Sequence, residues 1–586
     1  MLDFRKDLFA AERDDNLNVV GKGEQRQDMP GHVTGRSPFF DDHAFEGLLH
    51  LKVVRSPHHH ARIRHIDTAA AERAPGVKRI LRGADVPVNK NTLLSLINFG
   101  KDDEPTLAVG KVSYRGEPVV AIIAESEQQA LAARALVRVD YEVMPHVFDV
   151  EEALKPGAPV VNETYPNNYF EYHDRYDHSK LRFGDVDKAF ASADFIVDDR
   201  YQMSPIEHAP TETNGSIAAP EQNDRFVVHS CAQGLFFSLG TAAKILNLES
   251  NRLHFVGGTV GGGFGGKVDS LTEPLSILGA MMTGQPVRYV LDREEEMLYG
   301  SPRGAERIFI KDGIMRDGRI VARRIRSYFD AGAYTRLSSY AAIKCTAHLP
   351  GPYTIPNVSA DIYVAYTNRC PSTAMRGFGI TAVDFALEVH MDKGAEACGM
   401  DPMEFRILNA YRDEDMKAHR RVAKNTALIE CVQVAAEKSG WPLSDEARRQ
   451  SSLTGGGGAR ALIPATPIDD NGRIGRPETR TGPATETLPA GTMRIPLTKQ
   501  PVMEGAADSR PAPAAVPQYE PYRPTPQGAQ PAYPPAPAYQ PMPAAPPPVA
   551  PPTAAPPGPP PPAPTAAPPT QHGATRFSSV FGTRRR

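Results

Sequence analysis

A proline-rich stretch that begins near residue 455 sets the limit on what this chain can fold. From there to Arg586 the hydrophobic periodicity is lost, and roughly a quarter of the residues are proline. A run such as "PPGPPPPAPTAAPP" builds neither a helix interior nor a central strand, because proline has no N–H to donate and a fixed φ. Such a segment is expected to be extended, polyproline-II-like and disordered in the free chain, since it cannot bury enough apolar surface to offset the entropy of ordering. Globular structure must come from about the first 450 residues, still enough for several sizeable cores. Tyr519, Tyr522, Tyr533 and Tyr539 interleave with the prolines, and the chain closes on "RFSSVFGTRRR". That end reads either as a solvated tail or as a docking arm, with Phe577, Val580 and Phe581 as an anchor and Arg584, Arg585 and Arg586 as a charge clamp.

Bulk charge excludes some function classes. The net charge of −3 over 586 residues carries no nucleic-acid footprint. Cys231, Cys345, Cys370, Cys398 and Cys431 are dispersed without a CxxC pair, which fits buried reduced thiols better than disulfides or an iron–sulfur site. The N-terminus "MLDFRKDLFAAERDDN" is charged throughout and unlike a secretory signal, and no run reaches the length of a membrane span. A soluble, cytoplasmic protein is expected.

The ordered part reads as α+β. Residues 47–57 and 111–124 have strand patterns, "SEQQALAARALVRV" (126–139) is helical with Ser126 as N-cap, and another strand follows. The adjacent histidines at 58–60 read as surface loop residues, since three neighbours on one short stretch cannot face one ion. A second unit begins near 180. Strand (224–233), helix (234–248) and strand (250–256) lead into a glycine loop. A helix over 270–284, broken in register by Pro274, and a hairpin with turns at Asp312–Gly313 and Asp317–Gly318 come next. A second small-residue loop, "STAMRGFG", occupies 372–379.

The first loop, "FVGGTVGGGFGGK" (255–267), concentrates glycine around Phe264. Glycine loses the most backbone entropy on folding, so such a cluster signals close approach of the main chain to something. Gly261-x-Gly263-x-x-Gly266 matches a dinucleotide fingerprint, with Asp292 as the best ribose acid. Gly261 to Gly266-Lys267 matches a P-loop except that Val268 stands where a hydroxyl is needed. The third reading is a loop that offers backbone amides to an anionic cofactor, with Phe264 as a wall.

"TVGGGFGGK" and "TAMRGFG" together resemble the molybdopterin-binding large subunit of the molybdenum hydroxylases, the xanthine oxidase, xanthine dehydrogenase and aldehyde oxidoreductase family. "EPVVAIIAESEQQALAARALVRVDYE" is similar to that family's hammerhead domain. "HAPTETNGSIA" (208–218), "CAQ" (231–233) and "CGMDPMEFRILNAYRDEDM" (398–416) fall in the family's order. The text looks most like split-subunit bacterial nicotinate and xanthine dehydrogenases.

The resemblance implies an N-terminal extension (1–29), a hammerhead-type domain (30–150), a first molybdopterin-binding α+β domain (151–447) and a disordered Pro/Ala-rich tail (448–586). It implies that Gln233 contacts an oxygen on molybdenum and that Gly263, Phe264 and Gly265 lie at the metal centre. Ala374, Met375 and Arg376 would line the pterin, and Phe378 would stack over an aromatic substrate. The purely structural alternative is equally definite: Gln233 as a helix cap, Arg376 as an ion pair, Phe264 and Phe378 as core aromatics. Val268 and Lys344 replace an acid and an arginine of the purine enzymes, which weakens a purine pocket and leaves Lys344 to pair with a substrate carboxylate.

The family's general base, a glutamate in a GxGE-type stretch, has no counterpart here, so no catalytic residue is expected in this chain. The implied assembly adds a second molybdopterin-binding subunit, an iron–sulfur subunit with [2Fe-2S] clusters and an FAD subunit. The molybdenum–molybdopterin would be the dinucleotide form. Three classes remain in view: a molybdenum hydroxylase subunit acting on an N-heteroaromatic or aldehyde, a P-loop-like nucleotide-binding protein, and a non-catalytic interaction protein on a degenerate fold.

Overall fold

The computed structural model describes residue 23, residues 25–171 and residues 179–453. The expected tail from 454 onward and most of the N-terminal extension lie outside these residues.

The first half supplies strands β1 (Leu49–Arg55), β2 (Ala61–Asp67), β3 (Val77–Leu81), β4 (Lys111–Val112) and β5 (Pro118–Ala124), helix α1 (Glu127–Arg134) and β6 (Arg138–Val143). β5, "PVVAIIA", is apolar and buried at every position, as a strand covered on both faces must be. Ser126 caps α1, its Oγ accepting from the Gln129 N–H at 3.3 Å. The helix ends at Arg134, short of the expected 139, because Arg138 already pairs with Asp67 in the β2–β6 ladder.

The second half adds β7 (Lys180–Phe183), β8 (Phe195–Met203), β9 (Gly215–Glu221), β10 (Arg225–Ser230), α2 (Leu235–Leu246), β11 (Leu253–Gly257), α3 (Glu273–Thr283) and β12 (Val287–Val290). Then come β13 (Glu306–Ile314), β14 (Ile320–Gly332), α4 (Ser338–His348), β15 (Val358–Tyr366) and α5 (Thr381–Cys398). Three sheets result, with orders β11-β10-β9-β12-β1-β5-β3, β7-β15-β14-β13-β8 and β4-β2-β6. The seven-stranded sheet joins strands from both sides of residue 150 through the parallel pair β1–β12.

Two strand–helix–strand units place the loops. β10 and β11 are parallel neighbours, with Ser230 opposite Gly257, and α2 makes the crossover that a parallel pair requires. β14 and β15 are likewise parallel, and α4 lies between them in the chain. Each unit releases its second strand into one of the two singled-out loops, so both loops leave from the carboxyl ends of parallel strands.

Several expectations need correction. Asp312–Gly313 is no turn: both residues sit inside β13, and the reversal lies at Met315–Arg319, where Gly318 donates to the Met315 carbonyl. Buried Asp312 instead takes two bonds from fully buried Arg323, at 2.8 and 2.6 Å. Pro274 does not break a helix; it occupies the first turn of α3, where a missing N–H costs nothing. His60 is not a surface residue: it is 2% exposed, with its Nδ1 2.6 Å from the Pro145 carbonyl, while His59 packs against Phe148. Among the described residues no His/Cys/Asp/Glu group is placed to hold a metal ion. All five cysteines are free, but Cys431 is exposed rather than buried.

Candidate functional site

Gln233 follows β10 by three residues, and the glycine loop follows β11. The two strands are adjacent, so side chain and loop meet. Gln233 Oε1 accepts from the N–H groups of Gly265 (2.9 Å) and Lys267 (3.2 Å), and its own backbone N–H donates to the Lys267 carbonyl at 2.7 Å. Two donors fix which end of the amide is oxygen, so the NH2 end is left to donate elsewhere. Gln233 does not cap α2, whose N-cap, Gly234, has no side-chain partner. Neighbouring Cys231 is buried and its thiol is pushed up to about 12 by that burial, so it stays protonated.

The crowding of glycines has a partner that sequence reasoning did not anticipate. A Cβ on Gly261 would stand 2.4 Å from Glu212 Cβ, and on Gly263 2.5 Å from the Gln233 side chain. On Gly265 it would lie 2.5 Å from the Ala374 carbonyl, and on Gly266 2.9 Å from His208 Nδ1. The main chain therefore approaches the protein's own second loop and supporting side chains. Lys267 is 1% exposed and turned inward, its Nζ 2.7 Å from Glu212 Oε2, which also accepts from the Gly261 N–H at 2.7 Å. One carboxylate thus staples the loop's two ends. A lysine held inside cannot reach a phosphate, which removes the P-loop reading. Asp292 caps a short helix at Arg293–Tyr299 through the Glu295 N–H, which removes it as a ribose acid.

The second loop packs on the first. The Arg376 N–H donates to the Phe264 carbonyl at 2.7 Å, and His208 Nε2 is 2.9 Å from the Ala374 carbonyl. Arg303, 5% exposed, donates from Nη1 to the Gly377 carbonyl at 3.1 Å and from Nη2 to that of Arg376. Behind it lies Glu306, fully buried, with neither oxygen hydrogen-bonded among the described residues; burial pushes its carboxyl up to about 8. Gln233, Gly263, Phe264, Gly265, Ala374, Met375 and Arg376 are brought together in one place. The Arg376 side chain is exposed and pairs with no carboxylate among the described residues.

Val268 and Phe378 also converge. Both pack on a small core of Leu93, Leu94 and Leu337, together with Phe99, Tyr340 and Ala374. Tyr340 lies 6.0 Å from Phe378 and 6.2 Å from Phe99, ring to ring. Lys344, one helical turn along α4, places its Nζ 5.0 Å over the Tyr340 ring. Val268, Phe378 and Lys344 are thereby linked through Tyr340, which sequence reasoning missed; its i, i+4 spacing from Lys344 was the available signal.

The N–H groups of Gly262, Gly263 and Phe264, and of Ala374, Met375 and Gly377, find no acceptor among the described residues. Phe264 holds a left-handed φ of 52° and stays 47% exposed, a strained pose that marks functional sites more often than packing sites. A family model for a molybdopterin cofactor-binding domain matches residues 161–410, and one for the aldehyde oxidase and xanthine dehydrogenase a/b hammerhead domain matches residues 34–145. The chain is 31% identical over 425 residues to the nicotinate dehydrogenase large molybdopterin subunit of Eubacterium barkeri, covering 72% of this chain and 97% of that one. The chain belongs to the xanthine dehydrogenase and aldehyde oxidoreductase family of molybdenum hydroxylases. Among these hydroxylases, the nicotine 6-hydroxylase large subunit of Paenarthrobacter nicotinovorans is 31% identical over 75% of this chain and 54% of that one. The aldehyde oxidoreductase structure from Desulfovibrio gigas superposes with a TM-score of 0.66 at 29% identity, over 72% of this chain and 47% of that one. The chain therefore spans nearly all of one relative and about half of the other two.

The molybdopterin cofactor named by the family model fits the residues present. Two sets of unpartnered backbone N–H groups, on loops locked to each other, can meet the polar edges of a pterin and its phosphate. Gln233 offers an amide NH2 beside them. Among the described residues no helix is long and apolar enough to cross a membrane.

Proposed function

We propose that this chain is the molybdopterin-binding half of a multi-subunit molybdenum hydroxylase, its two family-type regions being 30–150 and 151–447. The observation that carries the reading is the meeting of Gln233, the first loop and the second loop at one place, with free amides on both loops. The reaction class is hydroxylation of an electron-poor carbon in a nicotinate-like or purine-like heteroaromatic, or in an aldehyde. Substrate C–H and water give C–OH, two protons and two electrons, which leave through [2Fe-2S] and FAD groups on partner subunits. When bound, the cofactor, in its dinucleotide form, supplies the two-electron chemistry.

Within this scheme the chain's own residues bind and orient. Gly263, Phe264 and Gly265 shape the wall at the metal end. Ala374, Met375 and Arg376 follow the pterin, and Gln233 donates from its NH2. Val268, Phe378 and Tyr340 give an apolar surface for a flat ring to pack against, and Lys344, over the Tyr340 ring, is a point charge for a substrate carboxylate. The general base comes from the second molybdopterin-binding subunit. Phe236 (89% exposed), Phe237 (46%) and Ile97 (55%) leave an apolar border near α2 for such a partner to cover. The assembly is placed in the cytoplasm.

The test is metal and pterin analysis of the chain purified with its natural partners. Near-stoichiometric molybdenum with pterin fluorescence, turnover only in the assembly, and reduced turnover in Gln233→Ala with an intact fold are expected. Turnover by the isolated chain would overturn the division of the site between subunits, and an assembly without molybdenum would overturn the proposal and leave a non-catalytic interaction protein.

A further inference from the structure

Both cofactor loops hang on one short segment, Ile206 to Glu212. Glu212 staples the first loop. Ile206 pairs with the backbone of Arg303, whose head holds the second loop, through bonds of 3.2 and 2.9 Å. Between them His208 has a side chain with no exposed surface. Its Nε2 lies 2.9 Å from the Ala374 carbonyl, and since a carbonyl only accepts, Nε2 carries the proton. The other ring edge faces the first loop: Nδ1 stands where a Cβ on Gly266 would be only 2.9 Å away. Among the described residues Nδ1 has no hydrogen-bond partner; it lies 3.5 Å from Glu207 Oε1, and both Glu207 oxygens are likewise buried without one. Ala209, the next residue, holds a left-handed φ of 44°, a conformation a non-glycine residue adopts only when its surroundings impose it.

We propose that His208 is a positioning residue: its ring is the spacer that sets the free amides of the first loop at a fixed distance from those of the second. The role rests on the function proposed above for the identity of the ligand, but not for the coupling between the loops. A histidine that merely fills core space would tolerate an apolar residue of similar size. A spacer that must also donate to Ala374 would not.

The test compares His208→Leu, which fills the space without a donor, with His208→Gln, which restores an N–H. Amide hydrogen exchange is read in the cofactor-free full chain, and molybdenum content in the chain purified with its partners. His208→Leu should speed exchange at Gly265, Lys267 and Arg376 about tenfold or more while β13 and β14 stay protected, and should lower molybdenum several-fold. His208→Gln should recover most of both. Wild-type exchange at the three amides in His208→Leu, or a rise spread evenly over the chain, overturns the proposal. Should His208→Leu fail to fold, His208→Met, likewise without a donor, carries the test with the same two outcomes. If wild-type assemblies lack molybdenum yet the exchange pattern appears, the proposed function falls and the spacer role stands.

Discussion

Replacing Glu306 by glutamine should stabilise the protein, increasingly so as pH rises from 5 to 8. Glu306 opens β13, is fully buried, and among the described residues has no hydrogen bond to either oxygen. The groups it feels are Arg303, which favours its charged form without forming a close ion pair, and the buried thiol of Cys345. Burial wins, and the carboxyl sits at about 8 against an ordinary 4.5. The folded chain therefore keeps a proton that the unfolded chain gives up near 4.5. Stability contributed by that proton is whole below 4.5 and is lost progressively as pH climbs to about 8. Each pH unit between is worth about 1.4 kcal/mol, so the span from pH 5 to 8 removes about 3–4 kcal/mol from the wild type. Glutamine has the same shape and no proton to lose. Thermal unfolding of both proteins across that range should show a gap that widens with pH to several degrees. A gap independent of pH would refute the reasoning, since it would mean that the carboxyl ionises in the folded state as freely as in water.

Lys267→Met should cost about 3 kcal/mol or more, because Glu212 is then left with a buried charge short of its cation, and adding Glu212→Gln should recover part of the loss; urea midpoints of the two single variants and the double variant give the coupling. Gly265→Ala should release the cofactor and destabilise the chain by about 2 kcal/mol, since its φ of 104° and a Cβ 2.5 Å from the Ala374 carbonyl leave no room. Gly258→Ala, whose Cβ would lie 3.7 Å from the Pro38 carbonyl, should be near neutral in the same molybdenum and stability assays.

How much of this was readable from the residues depends on the range of the interaction involved. Strand–helix–strand order before the first loop was legible, because "DRFVVHS" and "GLFFSLGTAAKILNL" carry local periodicity and local periodicity is what decides those elements; the helix Ser338–His348 and strand Val358–Tyr366 that lead to the second loop were not read. Gln233 and the two loops were legible as one site only through likeness to a family. The supporting side chains were not. His208 and Glu212 lie in a stretch noted for its resemblance, yet their roles depend on contacts 166 and 55 residues away in sequence. The Asp312–Gly313 error has the same origin. Aspartate and glycine favour turns when solvated, and only the buried guanidinium of Arg323, supplied by the next strand, makes aspartate a strand residue there.

The seven-stranded sheet has a consequence for how this protein can be inherited and cut. Leu49, His50 and Leu51 are hydrogen-bonded in register with Val287, Arg288 and Tyr289, more than two hundred residues on. The hammerhead and the region after it are distinguishable as sequence families but share a ladder of backbone bonds. Removing residues before 150 would bare an edge at β12 along Val287–Val290, an open template for strand addition. Recombination at that seam would thus yield two sticky fragments rather than two modules. The two regions fold as one unit through this ladder, so a cut at their seam separates strands that need each other.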